Sequence, residues 1–175
     1  LGYFEEEGID LTLINGNGAD KVMTALISGD ADIGFMGSEA SIYTYAEGAE
    51  DYGVNFAQLT QRAGNFLVGR KPEADFKWEN LLGTKVLGGR AGGMPQMVFE
   101  YILKKNGIDP KTDLTIDQSI SFGLTAAAFT NDDSDYTVEF EPFATSLEEE
   151  GAGYVVASLG TDSGYVPYTA YCAKK

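Results

Sequence analysis

Lys85–Gly107, KVLGGRAGGMPQMVFEYILKKNG, carries the pattern on which the fold turns. Lys85–Leu87 is a short strand-like run, and Pro95–Asn106 places apolar side chains at helical spacing until Gly107 stops them. The spacing predicts strand, glycine-rich loop, helix. Pro95 suits the first helical turn, where its missing N–H costs nothing. The glycines of Gly88–Pro95 let backbone amides approach a bound molecule, and a helix N-terminus offers unpaired donors. The Gly-Lys-Ser/Thr that ends a P-loop is missing, and no Gly-x-Gly-x-x-Gly can be read from these glycines. Gly92 is therefore a candidate ligand contact; the alternative is a junction where glycine serves chain geometry alone.

Upstream, Ile9–Ile14 alternates apolar and polar residues and predicts a half-buried strand, followed by the turn-forming Asn15–Gly18 (NGNG). Ala19–Ser28 reads as a helix through Val22, Met23, Leu26 and Ile27, and Ala31–Met36 as a second strand. Gly37 and Ser38 then lead into a helix reaching about Glu47, with Ser38 suited to the N-cap. This repeats the strand–glycine–helix layout and makes Gly37 and Ser38 candidate contacts too, since ligands of open α/β sheets bind beyond the carboxyl ends of strands. Val54–Thr60 and Asn65–Val68 are further strands, after which the charged stretch Gly69–Asn80 marks a candidate lobe boundary. Downstream of Gly107 the alternation continues as strand Asp113–Ile116, helix Phe122–Phe129, strand Tyr136–Phe140 and a helix from near Pro142 to Gly151. Strands Tyr154–Ser158 and Val166–Ala173 close it. Such alternation predicts an α/β protein with mixed, mostly parallel sheets.

Composition narrows the function. The 175 residues are 43% hydrophobic and 22% charged, the profile of a folded domain, and no stretch approaches the ~20 apolar residues of a membrane-spanning helix. With 27 acidic against 12 basic residues, the net charge of −15 disfavours nucleic acid and anionic lipid surfaces as partners. Cys172 is the single cysteine, so no intrachain disulfide forms, and the absence of histidine removes the commonest metal ligand and general base. Cys172 lacks an activating histidine and reads as a small buried strand residue. Glu139 and Glu141 straddle a strand end. Nothing in the sequence separates their pKa values as acid–base catalysis requires, so a single carboxylate at Glu141, accepting hydrogen bonds from a ligand, is the simpler expectation. No catalytic residue, metal site or cofactor is expected.

Taken together, GYFEEEG at Gly2–Gly8, ALISGDADIGFMG at Ala25–Gly37, QRAGNFLVGRK at Gln61–Lys71, SFGLTAAAFT at Ser121–Thr130 and GYVVASLGTDSGYVPYTAY at Gly153–Tyr171 resemble a known family. It is that of the extracytoplasmic solute-binding proteins of ABC importers, in the nitrate/sulfonate/taurine and thiamine-pyrimidine-precursor branch. The resemblance implies a type II periplasmic-binding-protein fold: two α/β lobes joined by crossing strands, with ligand between them. The first lobe would be residues 1–69 plus 165–175, the second 70–164. Contacts implied by it are Asn15, Gly16, Gly18, Gly37, Ser38, Gly92, Gly93, Met94 and Glu141. It also implies a small-molecule ligand, thiamine-pyrimidine-like or sulfonate/nitrate-like, and a membrane permease as partner. Localisation would be extracytoplasmic, through a lipid anchor, with the signal peptide lying outside this chain. The family's first strand and C-terminal helices have no counterpart here, so an incomplete first lobe is expected, with self-association if the chain stands at this length. The same architecture serves as the effector-sensing half of some transcription regulators and, less in keeping with these residues, as a transferase scaffold.

Overall fold

A computed structural model describes residues 1–121 and 123–175. Two sheets organise them. The smaller contains β1 (Ile33–Gly37), β2 (Gly53–Thr60) and β8 (Thr169–Lys174) in the order β1-β8-β2, all antiparallel. The larger contains β3 (Asn65–Gly69), β4 (Lys85–Leu87), β5 (Thr115–Asp117), β6 (Tyr136–Phe140) and β7 (Tyr154–Ser158) in the order β5-β4-β6-β3-β7. Its β5–β4 and β4–β6 pairs are parallel, whereas β3 runs antiparallel to β6 and β7. The sheets are mixed, as expected, but the expected parallel majority is confined to β5-β4-β6. The rest is antiparallel because β3 and β8 enter sheets whose other strands run the opposite way.

Alternation along the larger sheet explains its two cores. Leu67 and Val86 point to one face and pack with Phe99, Ile102 and Leu103 of α4 (Met94–Lys105) and with Leu159 of α7 (Leu159–Ser163). Val68 and Leu87, one residue on, point to the other face and meet Phe129 of α5 (Thr125–Asn131) and Ala144 and Leu147 of α6 (Phe143–Glu149). Phe122, where the sequence starts the α5 helix, lies outside the described residues. The small sheet is covered on one face only. Met36 and Cys172 pack there against Met23 and Leu26 of α2 (Ala19–Ser28) and Ala40 of α3 (Glu39–Ala46). Cys172 is fully buried, and burial pushes its thiol pKa up. On the opposite face Ile33, Phe35, Phe56 and Tyr171 are exposed, with Tyr171 touching both phenyl rings.

Three sequence expectations need correction. Residues 9–14 form no strand: they follow α1 (Tyr3–Glu6) but pair with nothing, and Leu13 and Ile14 are exposed. An alternating pattern becomes a strand only when a ladder partner is present, and the small sheet supplies none here. Second, β3 belongs to the larger sheet, so the chain changes sheets at 61–64 and not at Gly69. Third, Ser38 holds the N-cap position without capping. Its backbone is already helical and its side chain caps no amide. The two passages between sheets run side by side, with Val166 N donating to Gln61 O at 3.0 Å and Tyr168 N to Thr60 O at 3.2 Å.

Candidate functional site

Between the two sheets lies a cleft of about 310 Å3, within the size range of small-molecule sites. Each side ends a strand at glycine and starts a helix: β1, Gly37 and α3 on one, β4, Gly88–Gly93 and α4 on the other. They meet through Glu39, the first residue of α3, whose Oε1 accepts the Met94 amide of α4 at 3.0 Å. A helix N-terminus leaves such donors unpaired, and a carboxylate suits its partial positive charge. Glu39 is only 2% exposed, and its other oxygen, Oε2, has no partner. Burial raises its pKa above the ordinary carboxylate value, against lowering by its own backbone amide, the Met94 amide and nearby Arg90. Arg90, the basic residue lining the cleft, is turned toward Asp20, 3.4 Å from Nη2 to Oδ1.

Gly37 has a specific part in this arrangement. A Cβ placed on it would stand 2.1 Å from Glu39 Oε2, so the carboxylate folds over the space that glycine leaves. Gly37→Ala is expected to push the carboxylate off Met94, whose amide should then exchange with solvent about tenfold faster, the scale of one hydrogen bond. Amide exchange by NMR measures this, and unchanged protection at Met94 would contradict the packing.

Two further polar groups line the cleft. Glu139 on β6, 2% exposed, accepts the Thr137 hydroxyl at 2.7 Å and is also hydrogen-bonded by Thr125. Burial dominates again and raises its pKa. Tyr168, 5% exposed, has a hydroxyl without a partner, and its pKa is raised by burial and by the charge of Glu39. Apolar surface from Phe35, Met36, Val138, Phe140 and Phe143 completes the walls.

Of the residues singled out in sequence, Gly18, Gly37, Gly93 and Met94 line this cleft. Gly92 borders an adjoining groove of about 580 Å3 between α2 and α3, and its amide donates to Gln96 Oε1. Gly93 N is likewise engaged, by Arg90 O at 3.1 Å. The amides expected to hold a ligand are thus bonded within the protein. Asn15 is exposed and its Oδ1 accepts Asn17 N at 3.0 Å, while Gly16 packs against Val22. The Ser38 hydroxyl donates to Pro167 O. Glu141 is exposed and accepts from the amide and hydroxyl of Thr145, at 3.1 and 2.9 Å. Asn15, Gly16, Ser38 and Glu141 are not among the cleft-lining residues.

Sequence reasoning passed over Glu39 and Tyr168, and it weighed Glu139 only to set it aside for Glu141. The signal for Glu39 was its place directly after a glycine-ended strand, one residue beyond the hydroxyl that the capping rule selects. Among the described residues no three acidic or cysteine side chains gather as metal ligands would, and no helix is long and apolar enough to cross a membrane.

Residues 1–159 match the family described as NMT1/THI5 like. Over 174 residues, 99% of the chain, it is 49% identical to YtlA of Bacillus subtilis (strain 168), whose name describes a binding protein. The chain spans about half of that relative, 52% of its length. Among solved structures, the periplasmic aliphatic sulphonate binding protein SsuA of Escherichia coli superposes with a TM-score of 0.76 at 19% identity, over 97% of this chain and 56% of that one. The alkanesulfonate-binding SsuA of Xanthomonas axonopodis pv. citri, bound to MOPS, gives 0.75 at 19% identity over the same shares. A Candida albicans protein, CA3427, with the generic periplasmic binding protein fold, gives 0.70 at 14% identity over 99% and 56%. The fold is therefore that of the periplasmic binding proteins, over about half the length of these structures.

Proposed function

We propose, from the premise that this chain belongs to the NMT1/THI5-like family, that it forms the cleft-bearing part of an extracytoplasmic solute-binding protein. That protein captures a small organic molecule, performs no chemistry on it and delivers it to an ABC permease. The observation that carries this reading is the pair of strand–glycine–helix junctions facing each other across one cleft, joined by Glu39 and Met94. The lobes are then the parts built on the two sheets: residues 1–60 with 169–175, and residues 65–163. The paired passages 61–64 and 164–168 form the hinge between them. A ligand touching both lobes favours the closed state over the open one, which is what a permease must sense. Lipid anchoring at the cell surface belongs to the same proposal.

Two ligand classes come from the family resemblance, thiamine-pyrimidine-like compounds and sulfonates or nitrate. The aromatic walls accommodate a planar ring. Calorimetry on the whole natural protein that carries these residues, against a panel of pyrimidines, sulfonates and nitrate, tests the reading. One class is expected to bind with Kd near ~1 μM, about 8 kcal/mol. Absence of heat across the whole panel overturns it.

A further inference from the structure

Resting on the reading of this cleft as a ligand site, we propose that it takes a molecule presenting a cationic or N–H-donating head group, of the amidine, amine or amino-heteroaromatic kind, which docks on Glu39 Oε2. An oxyanion head group is disfavoured at the same place.

The argument starts from unmet hydrogen-bonding capacity. A buried carboxylate has lone pairs for about four hydrogen bonds. Oε1 of Glu39 receives the Met94 amide, but Oε2 is sealed from water with no donor. Native proteins seldom leave such an atom unpaired unless something else completes it. The Tyr168 hydroxyl is the second orphaned polar atom lining this cleft, near enough to feel the charge of Glu39. Together they ask for a donor at Oε2 and a donor or acceptor at the phenol.

Charge points the same way. Glu39 and Glu139 are both buried in the walls, and Arg90 is directed to Asp20 and so partly neutralised. An anion entering here would replace hydration with two carboxylates, whereas a cation would gain a partner and relieve the desolvation of Glu39. The positive helix end that might have served an anion, the N-terminus of α4, is filled by Glu39 itself. Both orphaned atoms are shielded from solvent in this structure, so docking requires the lobes to part for the head group to reach them.

Benzamidine and benzenesulfonate test this, because they share one ring and differ in the sign and hydrogen-bonding sense of the head group. On the whole natural protein at pH 7, benzamidine is expected to bind at least tenfold more tightly. Glu39→Gln should weaken benzamidine about tenfold and leave benzenesulfonate unchanged or improved. Tyr168→Phe, which removes a single hydroxyl, should weaken benzamidine about fivefold. The ranking of the two probes on the unmodified protein holds its meaning even where a variant folds poorly. Tighter binding of benzenesulfonate, or indifference of benzamidine to Glu39→Gln, overturns the inference while leaving the binding-protein reading intact. Failure of both probes also overturns it, and the broader panel then reveals whether the binding reading fails as well.

Discussion

Replacing Gly160 with alanine is expected to cost about 3 kcal/mol of stability, the upper part of the range for overpacking a filled core. Gly160 lies in α7, where a Cβ would stand 2.2 Å from the carbonyl oxygen of Ala63 and 3.3 Å from its carbonyl carbon. Both obstacles are backbone, so no rotamer change makes room. The carbonyl of Gly160 also accepts Arg62 Nη1 at 2.9 Å, which holds α7 against the 61–64 passage from a second side. Separating the two strains that bond and the ladder that 61 and 166 share. Urea unfolding should show a lowered midpoint with an unchanged slope, the signature of altered stability without altered compactness. Gly37→Ala makes the contrast: the atom it meets is the far end of a glutamate, which can swing away. A wild-type midpoint for Gly160→Ala would mean that α7 and the passage are less closely packed than described. Because this passage lies at the proposed hinge, ligand affinity should fall with stability.

Elements with long apolar periodicity were legible in the sequence, and those defined by tertiary partners were not. The α2 helix at 19–28 and the strands 136–140 and 154–158 fall at the residues their patterns mark, and α4 begins one residue early. The five-residue α7 has no periodicity to read. Residues 9–14 carry strand alternation without a partner, and the bare face of the small sheet shows the same lack from the other side. Within the site, the two facing junctions followed from glycine placement alone. The polar groups did not. A local rule assigns Ser38 to a cap, but with φ −64° and ψ −19° its backbone is already in the helix, so the carboxylate one position on reaches across the cleft. Between the two strand-end glutamates, the sequence offered no sign of burial, and the simpler expectation of one ligand-accepting carboxylate fell on Glu141. The structure buries Glu139 beside two threonine hydroxyls and leaves Glu141 holding the first turn of α6.

The double variant Glu39→Gln/Glu139→Gln is expected to be more stable than the native protein at pH 7 by about 2 kcal/mol, the scale of one buried polar atom lacking a partner, as Glu39 Oε2 does, or a Tm rise of roughly 5 °C at this chain length. The sign follows from burial. Both carboxyls have pKa values raised in the folded state, chiefly by desolvation, so the folded protein binds these protons more tightly than the unfolded chain. Stability then falls as pH rises from the unfolded value, about 4.3 for glutamate, through the raised folded ones. Two other carboxylates act oppositely. Asp117, held by Ser119, and Asp133, held by Lys85, have lowered pKa values, so the stability they give is lost as pH falls. They are common to both proteins and cancel in the difference. The Tm difference should therefore be near zero at pH 4 and grow toward pH 7, read by calorimetric melting at each pH. A flat or negative difference would mean that these carboxylates carry no burial cost. If the cost is present, the protein keeps two destabilising groups that glutamine would relieve, and a binding cleft gives such groups a reason to persist. The same variant that melts higher should then hold benzamidine less well, and this opposition of stability and binding separates a carboxylate kept for a ligand from one kept for the fold.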